Sequence, residues 1–191
     1  MPHNDVEVEI KARLSQERFE EIRDKIKKMA KFENSSHQVD EYFVPAHRNF
    51  LSRDFPFEWL SVRRRSGKTM FSYKHYYPEN SPSTTHCDEF ETEVANPENL
   101  EKILNSLNFT KLVTVEKERE VFSFQDEFEI ALDDVKDLGF YVEIEALKDF
   151  GGVEPTRKRI LEFAKSLNIG DSDLDNRGYP YMLLKKKGLI K

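Results

Sequence analysis

Along much of this 191-residue chain, apolar and charged residues alternate with a period of two, and the charged positions carry both signs. Val6, Val8 and Ile10 alternate with Glu7, Glu9 and Lys11. That period sends successive side chains to opposite faces of a strand. The same parity joins Arg63 with Arg65, Lys117 with Arg119, Glu129 with Asp133, Glu143 with Glu145, and Glu89 with Glu91 and Glu93. On an open sheet these would be ordinary solvated faces. Their repetition on strand after strand favours a sheet closed into a barrel, with the apolar faces turned outward under helices and the charges in the lumen.

Further strands are expected at 39–44, 59–65, 69–76, 89–95, 114–122, 127–133 and 140–146, with Ser66-Gly67 as the turn of a hairpin. Three helices are expected between them. Ser15 caps the first, whose apolar stripe is Phe19, Ile22, Ile26 and Met29. Asn96 and Pro97 start the second, with Leu100, Ile103, Leu104 and Leu107 facing inward. Pro155 opens the third, which buries Ile160, Phe163, Ala164 and Leu167. No linker or change of composition divides the chain, so residues 1–191 read as a single domain. Its class is α+β, a β-barrel with helices packed on its outside.

Charged residues make up 35% of the chain, but 15 Phe, 7 Tyr and 1 Trp supply enough apolar bulk for a core. The net charge of −6 argues against a nucleic-acid partner, and the absence of an apolar run of about 20 residues argues against a membrane. Residues 1–5 lack the parts of a signal peptide, and Cys87 as the sole cysteine suits a reducing compartment, so the expected location is cytoplasmic. The Asp171-x-Asp173-x-Asp175 run has Asn176 and Met182 where a calcium loop needs Gly and Glu, and reads as a polar linker. His86-Cys87 lacks companions for a zinc site, and the basic runs at 63–65 and 185–187 read as strand and tail rather than nucleic-acid patches.

A lumen holding charges of both signs is costly unless they pair with each other or with a ligand of matching charge. A triphosphate with divalent cations supplies both signs. Lys and Arg neutralise phosphate oxygens, while clustered Asp and Glu hold hard cations such as Mg²⁺ or Mn²⁺. No glycine-rich phosphate loop is present, so side chains must do the binding.

In order along the chain, Glu7-Val8-Glu9-Ile10-Lys11, Asp40-Glu41-Tyr42-Phe43, Leu60-Ser61-Val62-Arg63, Lys74, the acidic strand Glu89 to Glu93 and Lys117-Glu118-Arg119 resemble the CYTH superfamily of triphosphate tunnel metalloenzymes. The resemblance continues through Leu132-Asp133-Asp134-Val135, Glu143-Ile144-Glu145 and Tyr181-Met182-Leu183-Leu184. It implies a closed, eight-stranded antiparallel tunnel. It places Glu7, Glu9, Asp133, Glu143 and Glu145 at catalytic Mg²⁺ or Mn²⁺, with Glu91 and Glu93 facing the phosphates or joining the metal ligands. Lys11, Arg63, Arg65, Lys74, Lys117 and Arg119 would hold phosphates, and Glu7, Glu9 and Lys11 would form the catalytic set. Ser61 stands where many members carry a further arginine, and the loop at 76–85 is long enough to shape one tunnel mouth.

The implied substrates are tripolyphosphate, thiamine triphosphate or ATP. The leading expectation is hydrolysis of the terminal phosphoryl group. The alternatives are an adenylyl cyclase, in which the ribose 3′-hydroxyl attacks the α-phosphorus and pyrophosphate leaves, and a non-catalytic nucleotide or polyphosphate binder. A homodimer is possible.

Overall fold

The computed structural model describes residues 6–190; residues 1–5, read above for a targeting segment, lie outside them. Among the described residues the strands are β1 (Val6–Glu7), β2 (Glu9–Leu14), β3 (Lys31–Val44), β4 (Glu58–Arg65), β5 (Lys68–Tyr77), β6 (His86–Glu93), β7 (Thr110–Phe124), β8 (Phe128–Val135) and β9 (Gly139–Ala146). The helices are α1 (Gln16–Met29), α2 (Pro97–Ser106), α3 (Val153–Ser166) and α4 (Tyr179–Lys186). None of them is long and apolar enough to cross a membrane.

All strands join one sheet in the order β1-β6-β5-β4-β3-β7-β8-β9-β2, with every neighbouring pair antiparallel. The two ends of this order are two halves of one segment. Glu7 pairs with Cys87 on β6, and two residues later Glu9 pairs with Glu145 on β9. By changing partner at Val8, that segment brings the sheet edges together into a nearly closed barrel. The expected eight strands are thus eight extended stretches of chain, counted as nine because the first is interrupted.

The expected inversion of faces is present. Ile10, Ala12 and Leu14 of β2, Ile130 and Leu132 of β8, and Val142 and Ile144 of β9 share one buried cluster with Phe19, Ile22 and Ile26 of α1 and Ile160, Phe163, Ala164 and Leu167 of α3. These strand positions are of opposite parity to the charged ones, so this core lies outside the barrel wall. Burying each large side chain is worth about 1.5–3 kcal/mol. The Ser15 side chain caps α1 by accepting a bond from the Arg18 amide. At the Ser66-Gly67 turn both residues have positive φ, as the tight hairpin between β4 and β5 requires.

Three helical expectations need correction. Met29 ends α1 at 38% exposure, and Ile103 and Leu107, expected inside, are 54% and 60% exposed. Only Leu104 of α2 is fully buried, against Phe43 and Val62. The wall beneath α2 is partly ionic, with Arg64 paired to both Glu41 and Glu101, so a narrow contact suffices. α3 begins at Val153, two residues before Pro155.

The helix α4 was not foreseen as a helix. It is buried from Tyr179 to Leu184 and packs against Trp59, Val113, Val115, Val135 and Tyr141, whose parity faces them into the lumen. One end of the barrel is therefore plugged. The approach to the plug is stitched into the seam where β2 has no strand partner. Leu174 bridges Ala12, the Asp175 amide donates to the Lys11 carbonyl at 2.8 Å, and the Lys11 amide donates to Asn176 Oδ1 at 3.0 Å. Asn176 also donates to the Thr84 carbonyl at 3.2 Å, so the 76–85 loop is pinned at the plugged end. The aspartate run does serve as a polar linker, with Asp173 taken by Arg18 and Asp175 by Arg177.

Ile144 is fully buried in the outer core and Ile103 is exposed on α2. Ile144→Ala should cost about 2–5 kcal/mol in urea unfolding, whereas Ile103→Ala should change stability by less than about 0.5 kcal/mol.

Candidate active site

Barrel closure turns the charged parity of each strand toward one cavity of about 260 Å³. Its walls carry six cations, Lys11, Arg63, Arg65, Lys74, Lys117 and Arg119, and eight carboxylates, Glu7, Glu9, Asp40, Glu89, Glu91, Glu129, Glu143 and Glu145. Gly178, Tyr179 and Pro180, at the start of α4, line it with Trp59. The opposite end leads to a groove that contains Gln38, Lys68 and Met70 and shares Arg65, Glu91, Arg119 and Glu129 with the cavity.

The cations are held in two groups. On one wall Arg63 lies 3.6 Å from Asp40, 3.1 Å from Glu89 and 3.3 Å from Glu91, while Arg65 pairs with Glu91 at 2.7 Å. Lys74 donates to Glu7 at 2.7 Å and lies 3.1 Å from Glu89. On the other wall Lys11 pairs with Glu143 at 3.0 Å, and Arg119 pairs with Glu143 and donates to Asp133 at 2.7 Å. Lys117 reaches Asp133 at 3.5 Å.

One set of carboxylates stands apart. Register places Glu9 opposite Glu145, and Glu145 opposite Glu129, so three glutamates form a row across β2, β9 and β8. Like charges directly opposite on a sheet repel. Among the described residues none of these three has a cation within 4.0 Å. Burial and then Glu9 push the Glu145 carboxyl up to about 7, and burial likewise raises Glu129. Glu7 is raised by burial against the pull of Lys74, with the neighbouring Glu89 and Glu145 adding to the rise. By contrast, burial would raise Glu143, but Arg119, Lys11 and Lys117 outweigh it and hold its carboxyl well below the usual range. The row of glutamates is a set of oxygen donors lacking positive charge, which suits a hard divalent cation. Among the described residues no three carboxylates converge closely enough to hold a metal ion as they stand, so the fit is one of donor chemistry, and the row would have to draw together around the ion.

Most residues expected at the site are brought together, but two are not. Glu93 shares the parity of Glu89 and Glu91, yet it lies exposed beyond the rim, 3.3 Å from Lys68. Asp133 has no exposed surface and sits behind the lining, its oxygens taken by Arg119, Lys117 and the Tyr179 hydroxyl. Sequence reasoning left Asp40, Glu89, Glu129 and Tyr179 out of the site. Parity already places Glu89 and Glu129 in the lumen without a role, and the same parity on β3 covers Asp40; Tyr179 is placed by the plug, which no periodicity announced.

A nearly closed antiparallel barrel with a lumen of clustered carboxylates and cations defines the class to which this protein belongs. The chain is a member of the CYTH domain family, whose model matches residues 5–179. It is 27% identical over 176 residues to MJ0240 of Methanocaldococcus jannaschii, provisionally named an adenylate cyclase, covering 91% of this chain and 96% of that protein. The PH1819 protein of Pyrococcus horikoshii superposes with a TM-score of 0.78 at 27% identity, covering 94% of this chain and 99% of that one. HpAC1 of Hippeastrum, described as an adenylyl cyclase candidate with a dominant triphosphatase activity, shares the fold at a TM-score of 0.63 and 18% identity, over 96% of this chain and 95% of that one.

Glu145 titrates near 7 in the folded chain and near 4.5 when free. Between those values the folded chain binds more protons, so this group lowers stability as pH rises from about 4.5 to about 7, and the cost remains in full above. With divalent ions chelated, Glu145→Gln should stabilise the protein at pH 8 by about 3 kcal/mol and have little effect near pH 4.5, measured by thermal unfolding at both pH values.

Proposed function

We propose that this chain is a divalent-cation-dependent phosphohydrolase that removes the terminal phosphoryl group of a triphosphate held in the barrel lumen, with inorganic tripolyphosphate as the best-fitting substrate. The observation that carries this reading is the division of the lumen between six cations and a row of glutamates with no cation of its own. With eight carboxylates already on the walls, a polyanion entering alone would add to an existing excess of negative charge. Entry with divalent cations removes that excess.

Lys11, Arg63, Arg65, Lys74, Lys117 and Arg119 hold the phosphate oxygens, each already fixed by a carboxylate that orients it. Glu9, Glu129 and Glu145, with Glu7, hold the cation, and Mg²⁺ or Mn²⁺ suits their oxygen donors. When bound, such an ion polarises a phosphoryl oxygen and lowers the pKa of a coordinated water. Arg63 and Arg119 stabilise negative charge that develops on the phosphoryl oxygens, since their guanidinium groups stay protonated throughout.

A cavity of about 260 Å³ is small beside the roughly 300–1,000 Å³ of most small-molecule sites. It favours a compact phosphate chain over a whole nucleotide. The rings that line the cavity, Tyr42, Trp59, Tyr76 and Tyr179, are at the plugged end, whereas the groove at the open end presents charged, small polar and aliphatic side chains. A purine would have to pass the cations to find a ring to stack on. The dominant triphosphatase activity described for HpAC1 accords with hydrolysis over cyclisation.

Purified protein incubated with tripolyphosphate, thiamine triphosphate and ATP under Mg²⁺ and Mn²⁺ should release orthophosphate fastest from tripolyphosphate. Cyclic AMP and pyrophosphate as the main products from ATP would establish the cyclase instead, and tight binding without turnover under either metal would establish a binder. Glu9→Gln should lower kcat about 100-fold or more while leaving the fold intact, and Arg63→Ala should raise KM about tenfold with a smaller effect on kcat. Circular dichroism and steady-state kinetics check both.

A further inference from the structure

The plugged end of the lumen presents an arrangement that ion pairing alone does not explain. Lys11 and Lys117 lie there, with Arg119 next along β7 toward the open end, and like charges in a buried site repel one another. Burial and the neighbouring Arg119 push the Lys117 ammonium below its ordinary range. Only one protein acceptor approaches Lys117 among the described residues, Asp133 at 3.5 Å, and the carboxylates nearby are shared with Arg119.

What the two ammonium groups have in common is a ring. The Lys11 nitrogen lies 4.3 Å and the Lys117 nitrogen 5.1 Å from the centroid of Tyr179. The hydroxyl of the same residue donates to Asp133 at 2.8 Å, and the edge of Tyr141 packs against the ring with centroids 5.1 Å apart. Tyr179 is 5% exposed and opens α4, so the plug itself sets its position. A ring face attracts a cation without accepting its N–H bonds in the way a carboxylate does. It can therefore seat an ammonium group and leave its donors free for an anion.

Resting on the phosphate-binding reading above, we propose that Tyr179 is a positioning residue whose ring seats Lys11 and Lys117 with their donors available to substrate phosphate, and whose hydroxyl is anchored by Asp133. Asp133 then serves this assembly and Arg119, and is not a metal ligand. The plug contributes to phosphate recognition as well as closing the barrel.

Tyr179→Phe keeps the ring, and Tyr179→Leu removes it while filling the space with apolar atoms. Calorimetry with tripolyphosphate and Mg²⁺, each protein carrying Glu9→Gln to slow turnover, should show the Phe variant within about threefold of the wild-type Tyr179 protein and the Leu variant about tenfold weaker, or 1.4 kcal/mol. In lysine-labelled NMR spectra of the ligand-free wild-type and Phe proteins, the Lys11 and Lys117 ε-methylene signals should be displaced upfield by the ring current, with Lys11→Arg and Lys117→Arg variants giving the assignments. Equal affinity of the Leu and wild-type proteins, a Phe variant as weak as the Leu variant, or unshifted lysine signals in the wild type would each overturn the proposal. Should the Leu variant fail to fold, the wild-type and Phe spectra still decide. A wild-type chain that binds no tripolyphosphate would instead overturn the phosphate reading, and the spectra would still test the seat.

Discussion

Eight carboxylates and six cations share a lumen of about 260 Å³, and holding them there governs the rest of the fold. A buried charge is tolerated only when it is paired and hydrogen-bonded. Cross-strand pairing supplies most of those partners directly: Lys74 stands opposite Glu89, Arg63 opposite Asp40, and Arg119 opposite Asp133. The register of the ladders is therefore also the register of the ion pairs. A slip of one residue on any strand would send its charges into the outer core and its apolar residues into the lumen. With charges lining the middle of the lumen, the larger hydrophobic cluster lies on the opposite face, where α1 and α3 cover β2, β8 and β9, and a second fills the plugged end around α4.

Charge compensation in the lumen is incomplete at the glutamate row, and the incompleteness is organised. The cations cluster on β4, β5 and β7, with Lys11 alone on β2, while Glu9, Glu145 and Glu129 meet across β2, β9 and β8 with no positive residue among them. The same strands supply Lys11 and Glu143 one step deeper, where the pairing is satisfied. A two-residue move along β2 thus passes from an uncompensated carboxylate to a paired ammonium. This places a demand for positive charge beside groups suited to phosphate, which is the arrangement that the proposed chemistry needs.

Much of this arrangement could be read from the chain, because the period of two assigns each residue to a face without any knowledge of neighbours. Lys11, Arg63, Arg65, Lys74, Lys117 and Arg119 all line the cavity for that reason. Parity says nothing of depth. Glu93 has the correct face but lies past the rim, and Asp133 has the correct face but lies behind the lining. Both depend on the stagger of strands around the barrel, which no single strand encodes. The plug was missed for a different reason: α4 is buried on all sides from Tyr179 to Leu184, so it has no polar face to generate a helical period. On α2 the opposite occurred, since a clear apolar stripe was present but the partly ionic wall beneath it left Ile103 and Leu107 in solvent.

The plug and the seam give the lumen a direction. Leu174 and Asn176 occupy the edge of β2 next to Lys11, and the chain then turns at Gly178 to send Tyr179 into the cavity. Lys11 and the residue that floors the cavity thus share one short connection, tied to Lys11 through the Asp175 amide and the Asn176 side chain. Near that floor are the ammonium groups of Lys11 and Lys117, and at the other end Arg65, Glu91 and Glu129 open to the outer groove. A linear phosphate chain in the proposed reaction would accordingly have one end among fixed ammonium groups and the other near the mouth. The glutamate row extends from Glu9, inside, to Glu129, shared with the groove, so the cation demand follows the same path. A plug that both closes the barrel and orders the lysines ties the direction of binding to the fold itself.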